Sequence, residues 1–293
     1  MAEQLLESLV SVGIPAYNRP EGLRRTLECI TGQTYKNLEI ILSDNCSPNP
    51  DVEKVANEFA DKDKRIKYFR QDENKGMGFN FKFVLEKARG EYFMWAADDD
   101  EWDSSFIEEL VKIHKIKNVG LVACETEAFQ PNREKIKKNY LVASKFNSED
   151  KSLVFLNFMR VHHWTYHKAD MVYGIFKINV LRENYYLSDR IHPSIGGDHV
   201  LLLAVISDSN IYFIDKKLRR RISPYFIDYK STPAFNIRRI IGKYRHKENS
   251  NFDKILEFER VVDYIIEQNF NYHKKFILKA INKIYGFHLK SIL

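Results

Sequence analysis

Tyr92-Phe-Met-Trp-Ala-Ala-Asp-Asp-Asp-Glu-Trp102 is the stretch that decides the fold. From Tyr92 to Ala97 it is an uninterrupted apolar run, bounded by Gly90 on one side and by acid on the other. A run this short and this continuous predicts a strand buried on both faces rather than a helix. Three carboxylates, Asp98, Asp99 and Asp100, follow at its C-terminal end, and Ser104-Ser105 can cap a helix that begins near Phe106. Ligands of open α/β sheets bind outside the carboxyl ends of the strands, so the acids stand where a ligand should be. Adjacent carboxylates repel one another unless a cation lies among them, and hard oxygen donors suit Mg2+ or Mn2+. A solvated acidic turn is the plainer reading of three consecutive Asp. The neighbouring segments decide between the two.

Toward the N-terminus, Leu9–Pro15 reads as a first strand, and Pro20 suits the first position of a helix over Glu21–Ile30. Leu38–Ser43 reads as a second strand ending at Asp44, Val52–Ala60 as a helix, and Ile66–Arg70 as a third strand. Asn74-Lys-Gly-Met-Gly78 opens a helix carrying Phe81, Val84, Leu85 and Ala88 at helical spacing. On the other side come a helix at Phe106–Lys117 and a strand at Val119–Cys124. Strands alternating with helices at this rhythm predict an α/β fold, a mostly parallel central sheet with helices on both faces. Beyond Glu125 the pattern weakens, with Tyr140–Ser144 as a candidate strand. His162-His163-Trp164-Thr-Tyr-His167 reads as an aromatic loop, Val180–Asn184 and Val200–Ser207 as helices, and Ile211–Ile214 as the last strand.

The 293 residues, 44% hydrophobic and 29% charged, describe an ordinary globular chain. Three widely spaced cysteines, Cys29, Cys46 and Cys124, lack metal-site spacing and point to reduced thiols. No secretory signal and no membrane-length apolar run is visible, so a cytoplasmic location is expected. The formal net charge of +6 resides entirely beyond Ser231, where twelve Lys and Arg face six Asp and Glu. Residues 232–293 therefore read as a basic C-terminal helical extension of a catalytic domain spanning 1–231. Its last part, 270–293, holds Lys274, Lys275, Lys279 and Lys283 among Ile277, Ile281 and Ile284. That pattern suits either packing on the core or a peripheral contact with the inner face of the membrane. No motif supports nucleic acid.

Several segments in order resemble the family 2 inverting nucleotide-sugar glycosyltransferases, which have the GT-A (Rossmann-like) fold. They are Val10–Asn18, Ser43–Ser47, Asn74-x-Gly76 with Asn80, Ala88–Tyr92, Asp98–Asp100, Gly197-Asp198 and Phe213–Leu218. The resemblance covers roughly residues 8–222, divided into a nucleotide-sugar half (about 1–125) and an acceptor half (about 126–231). It implies that Pro15, Ala16, Tyr17 and Asn18 line the base pocket, with Tyr17 stacking on the base. Asp44 would accept the imide N–H of uracil, thymine or guanine, although an Asx turn is the local alternative. Asn74, Lys75 and Gly76 would lie near base and ribose. Asp98 and Asp99 would occupy the second and third positions of the Asp-x-Asp element, whose first acid is replaced by Ala97. Asp99 and Asp100 are then the candidate ligands of the divalent cation, with Asp98-x-Asp100 as a second frame. Asp198 would be the general base, set against simple N-capping. Gly197, His199, His163 and Trp164 would face the acceptor. Where related enzymes often carry a His after the last strand, this chain has Arg219-Arg220-Arg221, which suits phosphate or a solvated strand edge.

The activity implied is sugar transfer from a nucleoside-diphosphate sugar, UDP ahead of dTDP or GDP, to a saccharide or lipid-linked saccharide hydroxyl. Assembly of bacterial surface glycans is the expected setting. The non-enzymatic alternative is a pseudo-transferase that binds nucleotide sugar without turnover. A sugar-1-phosphate nucleotidyltransferase or a dinucleotide dehydrogenase would need a glycine-rich loop after the first strand, and Pro15–Pro20 has none.

Overall fold

In a computed structural model the described residues are 8–130, 132, 134, 135, 145–160, 169–189, 197–222, 250–271, 275, 278, 279 and 282. They begin with β1 (Val10–Ala16), α1 (Pro20–Thr31), β2 (Leu38–Asp44), α2 (Pro50–Lys62) and β3 (Ile66–Arg70). Next come α3 (Met77–Lys87), β4 (Tyr92–Trp95), β5 (Glu101–Trp102), α4 (Phe106–Lys117), β6 (Leu121–Phe129) and α5 (Lys151–Arg160). A short 3-10 helix (Ala169–Tyr173), β7 (Ile175–Lys177), α6 (Ile178–Asp189), α7 (Gly197–Asp208), β8 (Ile211–Ile222) and α8 (Ser250–Asn269) complete them.

The strands form one eight-stranded sheet in the order β3-β2-β1-β4-β7-β6-β8-β5. The first four are mutually parallel, β7 is antiparallel to both neighbours, β6 and β8 are parallel, and β5 returns antiparallel along β8. β1, β2 and β4 are buried at every position, as strands covered on both faces must be. One apolar cluster joins Leu23, Leu27, Val52, Phe106 and Leu110 to one face of the sheet. The other joins Val84, Phe93, Trp95, Phe155, Phe176, Leu202 and Ile266. Helix α8 belongs to the second cluster through Val261, Val262, Ile265 and Ile266, so this part of the C-terminal region packs on the core.

Three details depart from the sequence expectation. β4 stops at Trp95, two residues early, and Ala96 then donates to the Gly13 carbonyl before the chain turns. α4 begins at Phe106 as expected, but its cap Ser105 makes no side-chain bond to the helix; instead Asp103 accepts from Ser105 N and Oγ at 2.9 and 2.7 Å. β8 runs to Ile222 rather than Ile214. Exposed Asp215, Lys216 and Lys217 break the apolar pattern there, and the ladder with β6 shifts register around Glu125 before continuing. Tyr140–Ser144, His162–His167 and Ile277–Ile284, except Leu278, Lys279 and Asn282, lie outside the described residues. No helix among the described residues is long and apolar enough to cross a membrane.

Candidate functional site

The acids after β4 sit beside β1 and β2 at the carboxyl ends of three adjacent parallel strands. Helix α1 makes the floor of the acid loop. Thr26 Oγ1 donates to the carbonyls of Ala97 and Asp100 at 2.9 and 3.1 Å. Gly22 faces the loop backbone so closely that a Cβ there would stand 2.4 Å from the Asp98 carbonyl oxygen. Only glycine admits that approach.

Each of the three carboxylates has its own surroundings. Asp98 is buried and accepts from Tyr17 N at 2.9 Å and Arg19 Nη1 at 3.0 Å. Burial outweighs these donors and pushes its carboxyl up to about 6, so it remains mostly ionised at neutral pH. The side chain of Asp99 is 26% exposed, and Arg19 Nη1 lies 2.7 Å from its Oδ2. Asp100 is buried, pushed up to about 6 by burial against the opposing pull of Arg219, and its Oδ2 pairs with Arg219 Nη2. Its Oδ1 is buried with no hydrogen-bond donor.

These oxygens fit a divalent cation. Asp99 offers a part-exposed carboxylate, Asp100 Oδ1 is an orphaned acceptor, and Arg19 already bridges Asp98 and Asp99 with positive charge. No group of three His, Cys, Asp or Glu able to hold a metal occurs among the described residues.

The expected base-side residues also converge. Tyr17, just past the end of β1, is 43% exposed. Asn18 has a positive φ of 58° and donates its backbone N–H to Ser47 Oγ at 2.8 Å, joining the β1 and β2 loops. Asn80 Nδ2 donates to the Ala16 and Ser43 carbonyls at 3.3 and 3.0 Å. Asn45, which the sequence reading passed over, organises the next loop. Its amide donates to Asn74 Oδ1 and the Gly76 carbonyl and accepts from Lys75 N. Gly76 adopts φ 86°, a conformation that favours glycine.

Asp44 ends β2 as expected, yet it is wholly buried and its oxygens are already engaged. Oδ1 accepts from Ser47 N and Oγ, while Oδ2 accepts from Arg70 Nη1 at 2.5 Å and Tyr68 Oη at 3.3 Å. In this geometry Asp44 also holds Arg70 in place beside the end of β2. Arg70 was not singled out in the sequence; its position opposite Asp44 in the β2–β3 register was the available signal.

Asp198 stands in the first turn of α7 with its side chain 38% exposed. Its Oδ1 accepts from His199 N at 2.9 Å, and His199 Nδ1 lies 3.8 Å away. Gly197 opens the same helix. His163 and Trp164 lie outside the described residues. The expected Arg219–Arg221 edge resolves differently at each residue. Arg219 is 2% exposed between Asp100 and Asp170, Arg220 is exposed, and Arg221 pairs with Asp170 at 3.1 Å. Neither a solvated edge nor an open phosphate site describes Arg219, because two buried carboxylates claim it.

The family model described as Glycosyl transferase family 2 matches residues 11–179. An uncharacterized glycosyltransferase of Rickettsia felis is 37% identical over 112 residues, 38% of this chain and 18% of that protein. The chain thus spans under a fifth of that relative's length. The GalNAc(5)-diNAcBac-PP-undecaprenol beta-1,3-glucosyltransferase of Campylobacter jejuni is 27% identical over 202 residues, 57% of this chain and 65% of that one. Among solved structures, S. aureus TarS 1-349 in complex with UDP-GlcNAc superposes with a TM-score of 0.66 at 16% identity. The superposition covers 95% of this chain and 72% of TarS 1-349, and it shows a shared fold.

Proposed function

The chain belongs to glycosyl transferase family 2, and from that premise we propose that it moves a sugar from a nucleoside-diphosphate sugar to an acceptor hydroxyl with inversion at the anomeric carbon. The observation that carries this reading is the convergence of Tyr17, Asp98 and Asp99 at the ends of β1 and β4, tied by the Tyr17 N to Asp98 hydrogen bond. Tyr17 supplies the stacking face for the base, and Asn45 shapes Asn74–Gly76 for close approach of the ribose. UDP is the favoured nucleotide, with TarS as a solved neighbour that holds UDP-GlcNAc. A lipid-linked saccharide is the favoured acceptor, by likeness to the Campylobacter enzyme.

Asp99, with Asp100 Oδ1 behind it, would hold Mn2+ or Mg2+; the ion's chemistry there is to offset charge on the departing diphosphate. Asp198 takes the acceptor proton. Its place in the first turn of α7 and its 38% side-chain exposure leave it open to an incoming hydroxyl. Asp198→Asn is expected to lower turnover by about 1,000-fold or more, within the span of a lost general base, while UDP affinity stays within a factor of about two. Release of nucleoside diphosphate from a panel of donor sugars, set beside calorimetric UDP binding, reads both. Equal loss of both would remove Asp198 from the base role.

A further inference from the structure

Four charged side chains meet beside the acid loop, drawn from the loop itself, from β8 and from the 3-10 helix. Arg219 on β8 pairs through Nη2 with Asp100 and lies 3.4 Å through Nη1 from Asp170, which sits in the 3-10 helix. Arg221, two residues further along β8, lies 3.1 Å from the same Asp170 oxygen. The charges balance, two acids against two guanidinium groups. Tyr173, from the same 3-10 helix as Asp170, lays its ring 4.0 Å from the Arg219 guanidinium carbon. Thr126 Oγ1 on β6 accepts from Arg219 Nη1 at 3.3 Å. Asp100, Asp170 and Arg219 are all buried.

This arrangement stabilises little by itself, since burying ions sets desolvation against attraction. It does fix geometry, because a planar guanidinium held by two carboxylates and an aromatic face has few alternative poses. Asp100 is next to Asp99, so what holds the backbone at Asp100 also limits where the part-exposed Asp99 carboxylate can go. The 3-10 helix in turn packs against α7, which carries Asp198. A continuous set of contacts thus runs from the Asp198 helix, through Asp170 and Arg219, to the acid loop.

We infer that Arg219 and Asp170 are positioning residues that lock the acid loop to the acceptor half, so that donor binding depends on a side chain that does not touch donor. The donor part of this statement rests on the glycosyltransferase reading; the mechanical part does not. Asp170→Asn tests it, because the change keeps side-chain size and leaves the Asp100–Arg219 pair in place. Amide hydrogen exchange over residues 96–102 is expected to rise about tenfold, although position 170 is remote in sequence. UDP affinity in the presence of Mn2+ should fall by about tenfold, a typical size for coupling through a packed network. Ile266→Val, a distant core change, serves as the control for loss of stability alone and should leave exchange at 96–102 unchanged.

Should Asp170→Asn fail to fold, Tyr173→Leu removes the aromatic face while keeping all four charges, and the same rise in exchange is expected. Unchanged exchange at 96–102 in the folded variant overturns the inference, as does an equal rise in the control. A wild-type chain that binds no UDP would instead sink the donor reading, with the exchange result still deciding whether the network couples the halves.

Discussion

Two arginines hold the same acid loop from opposite sides, and the protein treats them differently. Arg19 reaches Asp98 and Asp99 from the end of β1 with its side chain 55% exposed. Arg219 reaches Asp100 from β8 with its side chain 2% exposed. Arg19 itself is wet, and its contact with part-exposed Asp99 is screened and free to exchange, which suits a site that must admit a cation and phosphates. The buried pair cannot exchange partners cheaply, because any departure strands a charge in the interior. One side of the loop is therefore built to yield and the other to stay.

Removing each anchor tests that contrast. Arg219→Met leaves Asp100 without its guanidinium and one of two from Asp170, and the expected loss is about 3–5 kcal/mol of unfolding free energy. Urea unfolding reads it; a loss under about 1 kcal/mol, the range of exposed pairs, would erase the distinction.

A third group, also buried, sharpens the comparison by solving the problem without a counter-ion. His114 on α4 is 2% exposed, with Val119 O 3.2 Å from Nδ1 and Ile175 O 2.8 Å from Nε2. Burial pushes its pKa down to about 4, against the pull of those two carbonyls toward the charged ring. The folded state therefore keeps His114 neutral, while the unfolded chain takes up a proton below about pH 6.5. Its contribution is fully present above that pH and is lost as pH falls toward 4. Between pH 7.5 and 5 the expected loss is on the order of 2 kcal/mol, absent in His114→Gln. An identical decline in wild type and variant would contradict this.

The smallest effect belongs to the exposed anchor. Arg19→Ala should cost about 1 kcal/mol, since buried Asp98 loses one donor but keeps the Tyr17 N–H. Mn2+ binding, followed by calorimetry with metal alone, should tighten, since the competing positive charge is gone. Weaker Mn2+ binding in the variant would show that Arg19 supports the cation rather than standing in for it.

What the sequence made legible follows the same division. The nucleotide half is written in local signals: buried apolar runs for β1, β2 and β4, Pro20 at a helix start, helical spacing in α4. Those signals place the acids beside Tyr17 because parallel strands must end together. Past Glu125 the signals are non-local. Arg219 resembles a solvated charge in a basic run, and only the pairing of β5 with β8 and the folding back of the 3-10 helix bury it. Asp170 has no local mark at all. Asp44 shows a finer limit, since its position was legible but its bonds to Tyr68 and Arg70 depend on how two strands align.

Everything proposed for the site turns on whether the carboxylates after β4 recruit a cation to hold a nucleoside diphosphate. Calorimetric titration of UDP into the wild-type chain and Asp99→Ala, each with and without Mn2+, tests this directly. The account predicts that Mn2+ tightens UDP binding by about tenfold or more in the wild type and has no effect in the variant. UDP binding that is indifferent to Mn2+ in the wild type, or equally Mn2+-dependent in Asp99→Ala, would contradict it.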